Sequence, residues 1–289
     1  MMDKSMQALI TAAQDGAIYA AARRAQAKSS GVEEAELDAR MMEYLNIMKD
    51  AAKDGMREDM RSLSGMVGGM APLYAHAAEQ GLTPGGSLIG RAASMALAVA
   101  ESNACMGRIV AAPTAGACGI LPGVLLAIQQ ERGFSDEKVA EVMFTAAAVG
   151  QVIANRASIS GAEGGCQAEC GSAAAMAAAA LTELMGGTPA QAANALSFAL
   201  MSLLGLVCDP VGGLVEVPCV YRNATGASVA IVSADMALSG VRCPIPADEM
   251  IDAMGKVGKQ LPASLRETGE GGCAACPSVA NCIKKLSEE

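Results

Sequence analysis

Alanine-rich apolar segments that stop at glycine set the strongest limit on the fold of this chain. From residue 91 onward, segments such as RAASMALAVAESNACMGRIV and SAAAMAAAALTELM alternate with glycine-containing loops. Runs of this length without strand-like alternation are typical of helices, and small side chains let packed helices approach closely. Only GGLVEVPCV has the alternating pattern of a strand. The sequence therefore predicts a mainly α fold, an Ala/Gly-rich helical domain whose helices are joined by glycine loops.

Several helix ends can be located from their capping residues. Ser135 precedes a long amphipathic segment as a predicted N-cap, and Gly133 ends the helix before it. Thr188 is a second predicted N-cap, with Pro189 at the first helical position. These signals predict helices that begin just after residues 135 and 188.

We expect one domain that spans residues 1–289. Its parts are predicted as a charged helical N-terminal layer over residues 1–80, a helical core over 91–272 and a cysteine-containing tail over 273–289. The loop GLTPGGSLIG at 81–90 separates the layer from the core.

Composition limits the class of protein. Hydrophobic residues make up 52% of the chain and charged residues 18%, which predicts a folded protein. The apolar stretch at 195–207 is shorter than the ~20 residues of a membrane span, so no membrane partner is expected. The net charge of −9 argues against nucleic acid as a partner. The N-terminal segment has no basic region followed by a long apolar core, which indicates a cytoplasmic protein.

Cysteine beside glycine is the motif that carries chemistry. Three loops contain it, around Cys118, around Cys166 and Cys170, and from Cys208 to Cys219. In a reducing compartment thiols stay free, so these residues are structural, metal-binding or reactive rather than disulfide-bonded. Thiolates bind soft metals, and glycine lets backbone N–H groups approach cluster sulfur, which favours an iron-sulfur cluster.

Two other interpretations of the cysteines stay open at this point. An isolated cysteine packs well as a small hydrophobe, and we expect this of Cys105 and Cys243. Zinc is the competing metal, but its structural sites want short paired spacings of Cys or His, and this chain has a single histidine, His76.

Four long motifs resemble one known family. AAPTAGACGILPGVLL, ASISGAEGGCQAECGSAAAMAAAAL, GLVCDPVGGLVEVPC followed by YRNA, and LPASLRETGEGG are similar to stretches of the alpha chain of iron-sulfur-dependent L-serine dehydratases. The resemblance implies a 4Fe-4S cluster held by Cys166, Cys208 and Cys219, on which the glycine loops converge, and it implies no pyridoxal phosphate. Three ligands for four irons leave one iron open as a Lewis acid for the hydroxyl group of serine.

The same resemblance implies a reaction and a partner. The reaction is the conversion of L-serine to pyruvate and ammonia, which needs a base for the α-proton. Two-chain members pair this subunit with a beta chain that carries an S-S-S-H-T motif, and this motif is absent here. We therefore expect a heteromer in which the partner supplies the base. The alternatives are a related β-eliminating lyase acting on threonine or cysteine, and a non-catalytic iron-sulfur or redox sensor.

Seven residues in the motif loops are candidates for contacts with a small amino-acid substrate. The alternative roles are helix connection at PTAGACG, loop capping before Cys166 and support of the cluster site after Cys219. The candidates are Thr114, Gly116, Ser158, Ser160, Glu163, Arg222 and Asn223.

The C-terminal tail departs from the family pattern. It reads GGCAACPSVANC, which adds Cys273, Cys276 and Cys282. In single-chain members a C-terminal cysteine can reach back to the cluster, so Cys282 is a candidate fourth ligand. A peripheral metal site or a redox pair at Cys273 and Cys276 is the second interpretation, and a disordered thiol-bearing tail is the third.

Overall fold

The computed structural model describes residues 4–13 and 16–279. Within these ranges the chain forms twelve α-helices and no β-strand, which confirms the predicted mainly α fold. The helices are α1 (Met6–Ala12), α2 (Ile18–Ser30), α3 (Glu34–Asp54), α4 (Met70–Glu79), α5 (Gly86–Ala104), α6 (Ile120–Arg132), α7 (Asp136–Arg156), α8 (Gly161–Gly164), α9 (Ser172–Leu184), α10 (Pro189–Ser202), α11 (Cys219–Leu238) and α12 (Ala247–Gln260).

Helix α9 lies at the centre of the fold. All of its residues except Glu183 are buried, and they contact α6, α7, α10 and α11. Alanine at most of these positions keeps the side chains short, so four helices pack around one axis with little void. The alanine-rich pattern thus builds a tightly packed core in a chain with few aromatic residues.

The helix ends agree with the predicted caps. The Ser135 hydroxyl accepts a hydrogen bond from the Lys138 N–H at the start of α7. Thr188 and Gln191 form a reciprocal capping box at the start of α10, with Pro189 at its first position. Gly133 ends α6 in the left-handed conformation, with φ of 70°.

The strand-like stretch GGLVEVPCV does not form a strand. Gly212 and Gly213 have φ of 64° and 71°, so the backbone turns where a strand would extend. The segment continues into the first turn of α11 at Cys219. The alternating pattern of this segment therefore belongs to a turn and not to a β-sheet.

The N-terminal helices cover the core. Helix α2 packs on α7, and α3 packs on α5, α6 and α7. Glu101 of α5 is fully buried, and its carboxylate accepts hydrogen bonds from the N–H groups of Gly68, Met70 and Ala71 at 2.9 to 3.0 Å. A buried carboxylate that caps a helix in this way fixes the start of α4 against α5. Along the described ranges, no helix combines the length and apolar composition needed to cross a lipid bilayer.

Gly55, the residue that follows α3, packs closely against the backbone of α5. A Cβ atom built on Gly55 would lie 1.9 Å from the carbonyl oxygen of Ala98. We expect Gly55→Ala to lower the free energy of unfolding by about 3 kcal/mol, because the backbone of one helix must move. Gly16→Ala is the control, since no atom lies within 4 Å of a Cβ there. Urea unfolding of both variants measures the difference, and equal midpoints would contradict this account of the contact.

Candidate functional site

Three loops bring Cys166, Cys208 and Cys219 into the interior. Cys166 precedes the π-helical turn Gln167–Gly171 that leads into α9, and Cys208 follows α10. Cys219 is the first residue of α11. All three side chains are buried, with 3%, 3% and 8% of their surface exposed. Each predicted cluster ligand therefore lies inside the protein at the end of a helix or in a loop.

The backbone of Cys208 is held by the RETG segment, residues 261–272 (LPASLRETGEGG). Its N–H donates to the Leu265 carbonyl at 2.9 Å, and its carbonyl accepts from the Glu267 N–H at 2.7 Å. These bonds form an isolated parallel bridge between Cys208 and Arg266. Two distant motifs are thereby fixed side by side.

Asn223 links the PTAGACG loop to α11. Its amide nitrogen donates to the carbonyls of Gly116 and Cys219 at 2.8 and 2.9 Å, and its oxygen accepts from the Gly119 N–H at 2.8 Å. The side chain is 1% exposed, so both amide hydrogens are used within the protein. The structure thus places Asn223 as the residue that holds the loop of Thr114 beside Cys219.

Glu169 is a site residue that the sequence interpretation missed. Its carboxylate accepts a hydrogen bond from the Thr114 hydroxyl at 2.8 Å and lies 3.8 Å from the Cys208 sulfur. Gly161 and Gly116 border the same carboxylate, because Cβ atoms built there would lie 2.6 and 3.4 Å from its oxygens. The Cβ on Gly161 would also lie 2.9 Å from the Cys208 sulfur. The absence of a side chain at Gly161 thus permits the close approach of a partly buried carboxylate and a thiol.

Arg222 is turned towards the protein interior. Its guanidinium donates to the Val207 carbonyl at 2.8 Å and forms an ion pair of 2.9 Å with Asp209. The other carboxylate oxygen of Asp209 accepts from the Cys273 N–H at 2.6 Å. Arg222 therefore joins the loop of Cys208 to the start of the C-terminal tail.

Burial and neighbouring charges shift the pKa values of the site groups. Burial raises the pKa of Cys219 to about 12, and the charges of Cys166 and Glu169 act in the same direction. Burial also raises the pKa of Cys208, followed by the charges of Glu169 and Cys166. The pKa of Glu169 is raised by burial and lowered less strongly by its bond to Thr114. The three thiols and the carboxylate thus share one electrostatic environment.

Cys166 has a second thiol as its immediate neighbour. The sulfurs of Cys166 and Cys170 lie 3.3 Å apart, within hydrogen-bond distance. This bond lowers the pKa of Cys166, and the positive charge of Arg222 acts in the same direction. The same contact and burial raise the pKa of Cys170. Of the two thiols, Cys166 is therefore the one that more readily becomes a thiolate.

Thiolate sulfur from the three predicted ligands is the donor chemistry of an iron-sulfur cluster. Among residues 4–13 and 16–279, no three His, Cys, Asp or Glu side chains converge as ligands of one metal ion. A four-iron cluster takes each thiolate at a different iron, so its ligands surround the group instead of meeting at a point. Cys166, Cys208 and Cys219 are buried thiols, and thiolate sulfur is the donor that such a cluster takes. Gly161 borders the Cys208 sulfur.

Ser158, Ser160 and Glu163 lie in the loop before Cys166. The Ser158 hydroxyl donates to the Glu163 carboxylate at 2.6 Å and accepts from the Ser160 N–H at 3.1 Å. Ser158 and Glu163 line a cavity that none of the three predicted cluster cysteines lines. The structure therefore brings Thr114 and Gly116 to the thiols through Glu169, but it places Ser158 and Glu163 along a different opening.

The described part of the tail packs against the Cys208 loop. Cys273 is partly buried beside Asp209, and the short helical turn Gly272–Ala275 contacts the turn Val211–Gly213. Cys276 is exposed. Cys282 lies outside the described residues.

Comparison with known proteins decides the family. A family model described as "Serine dehydratase alpha chain" matches residues 5–274. The chain belongs to this family. It is 51% identical over 242 residues to the "Probable L-serine dehydratase, alpha chain" of Bacillus subtilis (strain 168), which covers 84% of this chain and 80% of that protein.

Two further relatives of the serine dehydratase alpha chain family extend the comparison. The "L-serine dehydratase, alpha chain" of Peptoniphilus asaccharolyticus is 43% identical over 257 residues, which covers 89% of this chain and 88% of the relative. The "L-serine dehydratase TdcG" of Escherichia coli (strain K12) is 48% identical over 181 residues, which covers 62% of this chain and 40% of that longer protein. The resemblance noted in the four sequence motifs is confirmed.

Proposed function

We propose that this chain is the alpha subunit of a cytoplasmic iron-sulfur L-serine dehydratase, which converts L-serine to pyruvate and ammonia. The observation that carries the proposal is the burial of Cys166, Cys208 and Cys219 in the family's motif loops, with the Cys208 sulfur 3.8 Å from the Glu169 carboxylate. The relatives named as L-serine dehydratases support the substrate.

The three thiolates would hold a 4Fe-4S cluster. When bound, this group supplies a Lewis acid that stabilises negative charge on the departing hydroxyl oxygen. The protein's contribution is to place three sulfurs and to keep bulk water away from them, which burial of all three side chains accomplishes.

The chain's own residues would bind the amino acid beside the thiols. The partly buried carboxylate of Glu169 complements the α-ammonium group. The N–H groups of the glycine-containing loop of Thr114 complement the substrate carboxylate. The Thr114 hydroxyl donates to the Glu169 carboxylate and orients it. Asn223 keeps that loop in register with α11 through three hydrogen bonds. The ammonium group of the substrate is thus proposed to meet a carboxylate, and its carboxylate to meet backbone N–H donors.

The elimination removes the α-proton and the β-hydroxyl group as water. The resulting aminoacrylate tautomerises to an imine, and addition of one water releases ammonia and leaves pyruvate. A base must take the α-proton, and we assign it to a beta chain, since the relatives that match over most of this chain are named alpha chains. The active enzyme is therefore proposed to be a heteromer.

Activity of the assembled enzyme tests this function. The chain, purified without oxygen together with its beta chain, is expected to contain iron and sulfide and to release equal amounts of pyruvate and ammonia from L-serine. Parallel assays with L-threonine and L-cysteine identify a broader β-eliminating lyase if their turnover is faster. A stable iron-sulfur chromophore with no turnover of any of the three amino acids would contradict the proposal and favour a sensor.

A further inference from the structure

A second opening lies behind the loop that carries Cys166. Its volume is about 480 Å³, within the range of pockets that hold small organic molecules. It lies between the end of α7, the segment that contains α8, helix α12 and the RETG segment. The lining includes Gln167 and Ala168, but none of the three thiols assigned to the cluster.

The cationic side chains exceed the carboxylates along this cavity. Arg156, Lys256, Lys259 and Arg266 line it, together with only two carboxylates, and one of these, Asp252, is paired with Arg156 at 2.7 Å. The protein as a whole carries a net charge of −9, so this positive lining runs against its overall charge. Local charge of one sign in a cleft concentrates ligands of the opposite sign.

Three of the four cations have no carboxylate of their own. Within the described part of the chain, Lys256, Lys259 and Arg266 form no ion pair. The Nε atom of Arg266 is buried and has no hydrogen-bond partner there. The remaining lining carboxylate, Glu163, accepts a hydrogen bond from Ser158 at 2.6 Å. A buried guanidinium nitrogen without an acceptor is costly unless a ligand supplies one.

We propose that this cavity binds a small organic anion through a carboxylate or phosphate group. Arg266 provides the buried donor, and Lys256 and Lys259 provide exposed positive charge at the rim. This site goes beyond the proposed serine elimination, because it lies on a different face of the Cys166 loop.

Hydrogen bonds connect the residues that line the cavity to the loops of Cys166 and Cys208. The backbone of Arg266 forms the bridge with Cys208. The side-chain amide of Gln167, the residue after Cys166, donates to the carbonyls of Gly164 and Met254 at 2.9 and 3.1 Å. An anion held by Arg266 and α12 therefore contacts the elements that fix Cys166 and Cys208, which makes it a candidate effector.

Calorimetric titration of the full-length chain tests the site, with pyruvate and inorganic phosphate as probes at constant ionic strength set by chloride. The double variant Lys256→Gln with Lys259→Gln is expected to raise Kd about a hundredfold, since each lost charged hydrogen bond raises it about tenfold. Lys28→Gln with Lys53→Gln is the matched control, which removes the same charge from exposed positions on α2 and α3.

Each outcome decides the proposal. Binding of pyruvate alone, of phosphate alone or of both supports it and identifies the anion chemistry, provided that the cavity variant loses binding and the control keeps it. The proposal is overturned if neither pyruvate nor phosphate binds, or if the cavity variant and the control variant weaken binding equally. The titration needs neither a beta chain nor turnover, so a failure here leaves the dehydratase proposal intact.

Discussion

Replacing Cys208 by serine is expected to remove most of the iron and sulfide from the anaerobically purified protein. It should also lower L-serine deamination about a thousandfold or more, because several kcal/mol of Lewis-acid stabilisation are lost with the cluster. Serine is close in size to cysteine, but its hydroxyl is a poor ligand for iron in such clusters. Cys208 is 3% exposed, so a new external ligand cannot easily take its place. Iron analysis, visible absorption and pyruvate release measure the three effects.

Cys243→Ser is the matched control for this experiment. Cys243 is partly exposed, and among the described residues its hydrogen bonding is limited to the backbone N–H, which donates to the Asn194 side chain. This variant should keep wild-type iron content and activity. Circular dichroism of Cys208→Ser checks that the helices remain. A folded Cys208→Ser variant with full iron content and full activity would show that Cys208 is not a cluster ligand. The same substitution at Cys166 and at Cys219 should reproduce the loss.

The helical architecture could be predicted because its signals are local. Caps at Ser135 and Thr188 act through residues three positions away, so the sequence contains both partners of each contact. Helix α9 lies at the centre of the fold because nearly all of its residues are small or apolar, and a helix without a polar face is buried on all sides. The three cysteine loops could be singled out for a similar reason, since cysteine, glycine and proline occur together within a few residues of one another.

The contacts within the site could not be predicted, because they join residues far apart in sequence. Thr114 and Glu169 are 55 positions apart, and Asp209 and Cys273 are 64 apart. Glu163 and Glu169 are six positions apart and have the same chemistry, so composition cannot tell which carboxylate faces the thiols. The available signal was spacing, because Glu169 follows Cys166 by three positions, which places both on one face of a helical turn.

This pair of glutamates permits a decisive comparison. Glu169→Gln is expected to lower kcat/KM for L-serine about a hundredfold, since a charged hydrogen bond to the ammonium group contributes about 1.5 to 3 kcal/mol. The amide preserves the shape of the side chain and can still accept a hydrogen bond from Thr114, so only the charge is removed. Iron content should stay at the wild-type level, which separates a substrate contact from a role in holding the cluster.

Glu163→Gln is the matched control, because Glu163 lies six positions before Glu169 but lines the cationic cavity. We expect it to leave kcat/KM for L-serine within about twofold of wild type, because Glu163 bonds to Ser158 and lines the cationic cavity, which none of the three predicted cluster cysteines lines. An increase in KM that exceeds the decrease in kcat in Glu169→Gln would indicate lost ammonium binding. A larger loss in Glu163→Gln than in Glu169→Gln would place the amino acid in the cationic cavity and remove Glu169 from the substrate site.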